Sequence, residues 1–155
     1  MMHSAPRMNP LESRAWLGLV GVSQVLPHVL DAQLLRDSRL THFEFTVLSA
    51  LYTAPDATLR MSQLADRTAA TLPRLSHVCT RMESRELVER LQCAQDRRAT
   101  DVHLTALGRR LFIRAIPRHI ELVRQLVIDS LTPEQLEALA DITEAIGARL
   151  EAHRG

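Results

Sequence analysis

The sequence predicts a mainly α-helical fold carrying a small β-wing. Three observations predict it. Hydrophobic residues make up 46% of the 155 but aromatics only 3%, so the core is built from Leu, Val, Ile and Ala, which favours helices over sheets. Apolar residues recur at helical spacing over most of the chain, whereas Val102 and Leu104 alternate with Asp101 and His103, the period of a half-buried strand. Two capping boxes, Thr41-His42-Phe43-Glu44 and Thr132-Pro133-Glu134-Gln135, mark helix starts.

Residues 1–9, with Pro6, read as a flexible arm. Leu11 to about Leu35 is an apolar helical stretch that Pro27 should kink or split, and Asp37 to Leu40 is expected as a loop. The Thr41 box opens a helix to about Thr53, with Pro55 after its end. Asp56 to Leu59 is a turn with room for a short first strand. A short helix (Met61 to Thr68), a three-residue turn and a second helix (Leu72 to about Arg85) follow. Thr71 is the N-cap of the second helix, and Pro73 sits in its first turn, where a missing N–H costs nothing. Leu75, Val78, Cys79 and Met82 form its buried stripe. A strand (Leu87 to Gln92), a tip (Cys93 to Ala99) and a returning strand (Thr100 to Leu104) make the wing.

That order is a winged helix-turn-helix, which places one helix in a DNA major groove with a hairpin beside it. Thr105 caps a long helix to about Asp129, bent at Pro117, and the last helix opens at Pro133 with Leu136, Leu139, Ile142, Ile146 and Leu150 along one stripe. A winged module does not need the terminal helices for its own core. Their stripes must be buried elsewhere, and a second copy of the chain is the simplest place. The expected organisation is an arm (1–9), an N-terminal dimerisation region (10–40), a winged helix-turn-helix (41–110) and C-terminal dimerisation helices (111–155).

Net charge is +1, and every one of the 19 basic residues is Arg. Residues 60–110 hold ten Arg against six acids, and both flanking segments are net acidic. The basic excess falls on the segment expected to meet DNA. Two cysteines make no disulfide framework, and no apolar run reaches transmembrane length, so a cytoplasmic protein without membrane contact is expected. The seven His lack metal-ligand spacing, and no nucleophile elbow, P-loop or dinucleotide fingerprint occurs. No metal, no cofactor and no catalytic residue is expected. Two alternatives stay open: a redox-sensing regulator acting through Cys93 at the wing base, and an interaction module that does not bind DNA.

Asp96-Arg97-Arg98-Ala99 at the tip, then Leu104-Thr105 and Gly108-Arg109, form the strongest motif. Arg81-Met82-Glu83 followed by Leu87-Val88-Glu89-Arg90, and Leu131-Thr132-Pro133-Glu134 at the last helix, occur in order with it. The combination resembles the MarR (multiple-antibiotic-resistance regulator) family of winged helix-turn-helix transcription factors. Two departures stand out: the family has Gly where this chain has Glu86, and Pro where it has Gln95. Glu86 implies either a strained residue or a different helix exit.

The resemblance implies a homodimer on a pseudo-palindromic operator in double-stranded DNA, acting as a repressor. Arg74, Ser76, His77 and Thr80 would read bases, with Arg81 on the same face, and Ser62 and Thr71 would donate to phosphates. Arg98, or alternatively Arg97, would enter the minor groove. Asp96 would brace the wing by pairing with Arg81. A small, aromatic effector would release the DNA from a pocket lined by Trp16, Phe43, Phe45 and Phe112.

Overall fold

A computed structural model describes residues 7–93, 95, 96 and 98–154. The chain divides into two compact units, one ending at Ile116 and the other beginning at Pro117. No helix among the described residues is long and apolar enough to cross a membrane.

The first unit opens with α1 (Pro10–Ser38). Asn9 caps it: its side chain accepts from the Glu12 amide at 2.9 Å, and the Glu12 carboxylate accepts from the Asn9 amide at 2.7 Å. Of the kink or split expected at Pro27, the split does not occur: α1 runs unbroken through Pro27 and continues past Leu35. One missing N–H in 29 residues leaves the flanking turns bonded. At the far end the last turn is held because Leu34 and Leu40, either side of the left-handed cap at Arg39, are both fully buried. The first half of the expected loop, Asp37 and Ser38, is therefore helix, and Arg39 and Leu40 make the turn.

α2 (His42–Tyr52) starts at the anticipated capping box, with Glu44 and Thr41 bonded reciprocally at 2.9 and 3.0 Å. A 3-10 turn leads into β1 (Thr58–Arg60), and then come α3 (Met61–Arg67), α4 (Leu72–Ser84), β2 (Val88–Gln92) and β3 (Thr100–Leu104). The sheet is antiparallel in the order β1-β3-β2, with Leu59 and Arg90 both opposite Val102. Leu48, Leu51, Leu64, Leu75, Met82 and Val102 form one fully buried core, so α2, α3, α4 and the base of the wing share a single apolar centre.

Two junctions fix the wing against α4. Glu86 stands in the left-handed region at φ 57° and closes α4: its amide donates to the Glu83 carbonyl at 2.9 Å, and the Leu87 amide to the Met82 carbonyl at 3.0 Å. A non-glycine residue there costs on the order of 1–2 kcal/mol. Thr105 caps α5 (Ala106–Leu126), accepting from the Gly108 amide at 3.0 Å and donating to the Glu86 carbonyl at 2.6 Å. Gly108 faces the Leu87 carbonyl so closely that a Cβ there would lie 2.1 Å from its oxygen. The Leu104-Thr105-x-x-Gly108 motif is thus a packing contact between α5 and the α4 exit.

The brace between helix and wing is not the expected Asp96–Arg81 pair. Asp96 accepts from the Arg98 amide at 3.0 Å within the tip, and Arg81 reaches Glu44 of α2. Residues 81 and 83 lie on different faces of α4, and it is Glu83 that faces the wing. Glu83 accepts from the Arg90 amide at 3.0 Å and from its guanidinium at 3.0 and 2.9 Å. Arg90 also donates to the Thr80 hydroxyl at 3.0 Å.

In the second unit the C-terminal part of α5 gives way to a 3-10 turn at Ile128–Ser130, tied by Arg124 to Asp129 at 2.6 Å. α6 (Pro133–Arg154) begins at the second capping box, where Thr132 and Gln135 bond reciprocally at 2.9 and 3.3 Å. Its apolar row (Leu139, Ile142, Ile146, Leu150) is exposed.

Two outcomes are expected. Gly108→Ala pushes α5 off the Leu87 carbonyl and should lower unfolding stability by about 1–3 kcal/mol in urea titrations, the range for overpacking; an unchanged midpoint would remove the contact from the account. Donation from the Arg90 amide, and then from its guanidinium, holds the Glu83 carboxyl below its ordinary value of 4.5. A depressed carboxyl stabilises the fold above its unfolded-state value, and that stability is lost as pH falls through the lower folded value. With the side chain 38% exposed, screening keeps the effect small. Glu83→Gln should therefore flatten the stability profile on the acid side of pH 4.5, and a profile that overlays the wild type would show that the pair does not couple wing to helix.

Candidate nucleic-acid interface

α4 is amphipathic in three directions. Leu75, Cys79 and Met82 point into the core. One flank faces the wing, and the other faces α1 and α2.

On the wing side, α3, α4 and the hairpin enclose a concavity of about 390 Å³. Arg60, Ser62, Leu72, Ser76, Arg90 and Arg98 line it. Three guanidinium groups around one open depression make it electropositive, a shape and charge suited to a phosphate backbone. Of the anticipated contact residues, Ser62, Ser76 and Arg98 meet here. Thr71 sits exposed at the mouth of α4, where its hydroxyl accepts from the Arg74 amide at 3.4 Å. Thr80 is committed locally: its hydroxyl donates to the Ser76 carbonyl and accepts from Arg90, both at 3.0 Å. Arg97 lies outside the described residues. Arg60, Leu72 and Arg90 were not singled out from the sequence, because their convergence depends on how the hairpin folds back.

On the opposite side, Arg74, His77 and Arg81 line a second cavity, of about 680 Å³, with Pro27, His28 and Asp31 of α1 and His42 and Phe43 of α2. The Arg74 guanidinium stacks on the Phe43 ring at 4.2 Å. Asp31 accepts from the His42 amide at 2.5 Å, joining α1 to α2. Burial holds the His42 imidazole below its ordinary value, with the Asp31 charge opposing it.

Glu44 lies behind this cavity, 1% exposed. It accepts from Arg85 at 3.2 Å and from Arg81 at 3.5 Å, in addition to the Thr41 amide. Arg85 also donates to the Arg39 carbonyl at 2.7 Å, so it is not the solvated surface residue its sequence position suggests. A buried carboxylate needs such partners, and here they are Arg81 of α4 and Arg85 at that helix's C-terminal cap.

The four aromatic residues expected to share an effector pocket do not converge. Phe43 lines the second cavity. Phe45 is turned into the core, its ring 5.0 Å from that of Phe112, which also meets Tyr52 at 5.1 Å. Two positions apart on a helix point in different directions, which separates Phe43 from Phe45. Trp16 is half exposed on α1. Cys93 is buried at the base of the wing, not open to solvent, and the Arg60 guanidinium donates to its sulfur at 3.5 Å. Cys79 is fully buried in the core face of α4, and burial pushes its thiol up to about 11.

Comparison with known proteins adds a name to this geometry. Residues 40–100 match the model of the MarR family. Sco3205, a MarR family transcriptional regulator of Streptomyces coelicolor solved in complex with DNA, is 34% identical; the match covers 93% of this chain and 94% of that one, with a TM-score of 0.90. AbsC, a MarR family regulator of the same organism, is 33% identical over 96% of this chain and 99% of its own, also at 0.90. MosR of M. tuberculosis, likewise solved in complex with DNA, is 26% identical over 86% and 96%, at 0.69. With the winged helix-turn-helix, the arginine-lined concavity and full-length likeness in agreement, the chain belongs to the MarR family of DNA-binding transcription regulators.

Proposed function

We propose that this protein is a dimeric repressor that grips a pseudo-palindromic operator with one arginine-lined concavity per subunit and lets go when a small aromatic acid binds beside α4. The observation that carries the reading is the convergence of Arg60, Arg90 and Arg98 around the mouth formed by α3, α4 and the wing. In this reading α4 enters the major groove, Ser62 and Thr71 meet phosphates, Ser76 faces base edges, and Arg98 enters the adjacent minor groove. Asp96 shapes the tip by holding the Arg98 amide.

Dimerisation is supported by apolar surface. α1 leaves Leu11, Trp16, Leu17, Val22 and Val25 more than half exposed, and α6 leaves Ile142 and Leu150 so. Burying each such side chain in a partner contributes roughly 1.5–3 kcal/mol, enough collectively to favour association.

Effector release is supported by the second cavity. Its size is that of a small-molecule site. Phe43 offers a ring face, and Arg74 and Arg81 offer charge to a carboxylate. Both arginines belong to α4, so an occupant shared with α1 and α2 would favour one orientation of α4 over another and shift the population that fits DNA.

Gel shifts at two salt concentrations test the DNA arm. Operator affinity should fall steeply with salt, and Arg98→Ala should weaken binding at least tenfold without moving the melting temperature; undiminished affinity would take Arg98 out of the interface. For the effector arm, benzoate should raise the melting temperature of the wild type and leave Phe43→Ala unmoved. Equal shifts in both proteins would place the ligand elsewhere.

A further inference from the structure

We infer that Leu72 is a specificity-determining residue that reads the C5-methyl of a thymine in each half-site. The inference rests on the sequence-specific DNA binding proposed above. Leu72 is the first residue of α4, directly after the Thr71 cap, and it is 51% exposed. It lines the arginine-rich concavity, one turn before Ser76 on the same helix face. Met61, the other large apolar side chain in that lining, packs against the core instead. Leucine thus stands open to water where every neighbouring feature is suited to a polyanion.

The start of the recognition helix is the part that approaches base edges first. A hydrogen-bonding side chain is the usual reader there, but Leu72 has no donor or acceptor, and Pro73 after it has no N–H. What leucine can recognise is shape and apolar surface. In the major groove the apolar group on a base edge is the thymine C5-methyl, whereas cytosine carries only a hydrogen at C5. Set against leucine, cytosine leaves the methyl's place empty and forfeits that apolar contact. Leu72 therefore favours thymine through its methyl, while Ser76, one turn along, remains able to bond a polar edge.

The experiment uses the full chain. In vitro selection from a random duplex library defines the preferred sequence. Each thymine of that duplex is then replaced in turn by deoxyuridine, which removes only the methyl, and dissociation constants are measured for the wild type and Leu72→Ala. At one thymine per half-site the wild type should lose about fourfold on replacement, the worth of one buried methyl, and Leu72→Ala should lose nothing. Because Leu72 is exposed, the variant should keep the wild-type melting temperature. An enriched site whose thymines all tolerate uracil would overturn the Leu72 contact alone, as would equal losses in both proteins. Selection that enriches no sequence would overturn the DNA-binding reading along with it.

Discussion

The orientation of α4 depends on one buried carboxylate. Glu44 caps α2 through the Thr41 amide and binds Arg81 of α4 and Arg85 at that helix's C-terminal cap. A charge almost fully removed from water is tolerated only with its partners in place, and breaking such a pair costs far more than forming it gains. α4, the helix proposed to carry the readers, is therefore keyed to the helix beneath it by electrostatics, in addition to the shared core of Leu48, Leu64, Leu75 and Met82. The second tie, Arg90 to Glu83, acts from the other flank and holds the wing to the same helix. α4 is clamped between two ion pairs of opposite polarity: it gives arginines to α2 and receives one from β2.

Under the proposed function, the same arrangement lets one helix serve both DNA and an effector. Leu72 and Ser76 open toward the wing, while Arg74, His77 and Arg81 open toward α1 and α2. Arg74 at the first turn stacks on Phe43, and Arg81 two turns later shares Glu44. A ligand that recruits either arginine competes with a contact that orients the helix. Coupling between the two cavities then needs no long pathway, because they are two sides of the same thirteen residues.

The order of elements was legible in the sequence because each boundary carries a local chemical cause. Thr41 with Glu44, Thr71 with Arg74, Thr105 with Gly108, and Thr132 with Gln135 mark starts that depend on residues three positions apart. The hairpin was legible from alternation. Glu86 could be narrowed to two possibilities, and the left-handed cap is the one adopted. Side-chain partnerships were not legible. Asp96 and Arg81 are both charged, near the wing and well spaced, yet the helix turn sends Arg81 to a residue 37 positions earlier. Pairing across elements depends on the helix-packing angle, which no local pattern encodes. The effector pocket failed for a different reason: four aromatic residues looked like a set, but helix periodicity, which the sequence does carry, puts Phe43 and Phe45 on different faces.

Charge shows how far a sequence count and a surface can diverge. The stretch 60–110 carries an excess of arginine, but that total is not the field a DNA molecule would meet. Arg81 and Arg85 spend part of their charge on Glu44, which lies outside the stretch, and Arg90 spends part on Glu83 within it. What remains effective is decided by position: Arg60 and Arg98 share a concave mouth, where low-dielectric walls focus the potential. A chain of nearly neutral net charge can therefore present a strongly cationic groove. Glu44 and Glu83 serve as counterions that hold the scaffold, and Arg98 at the mouth is exposed.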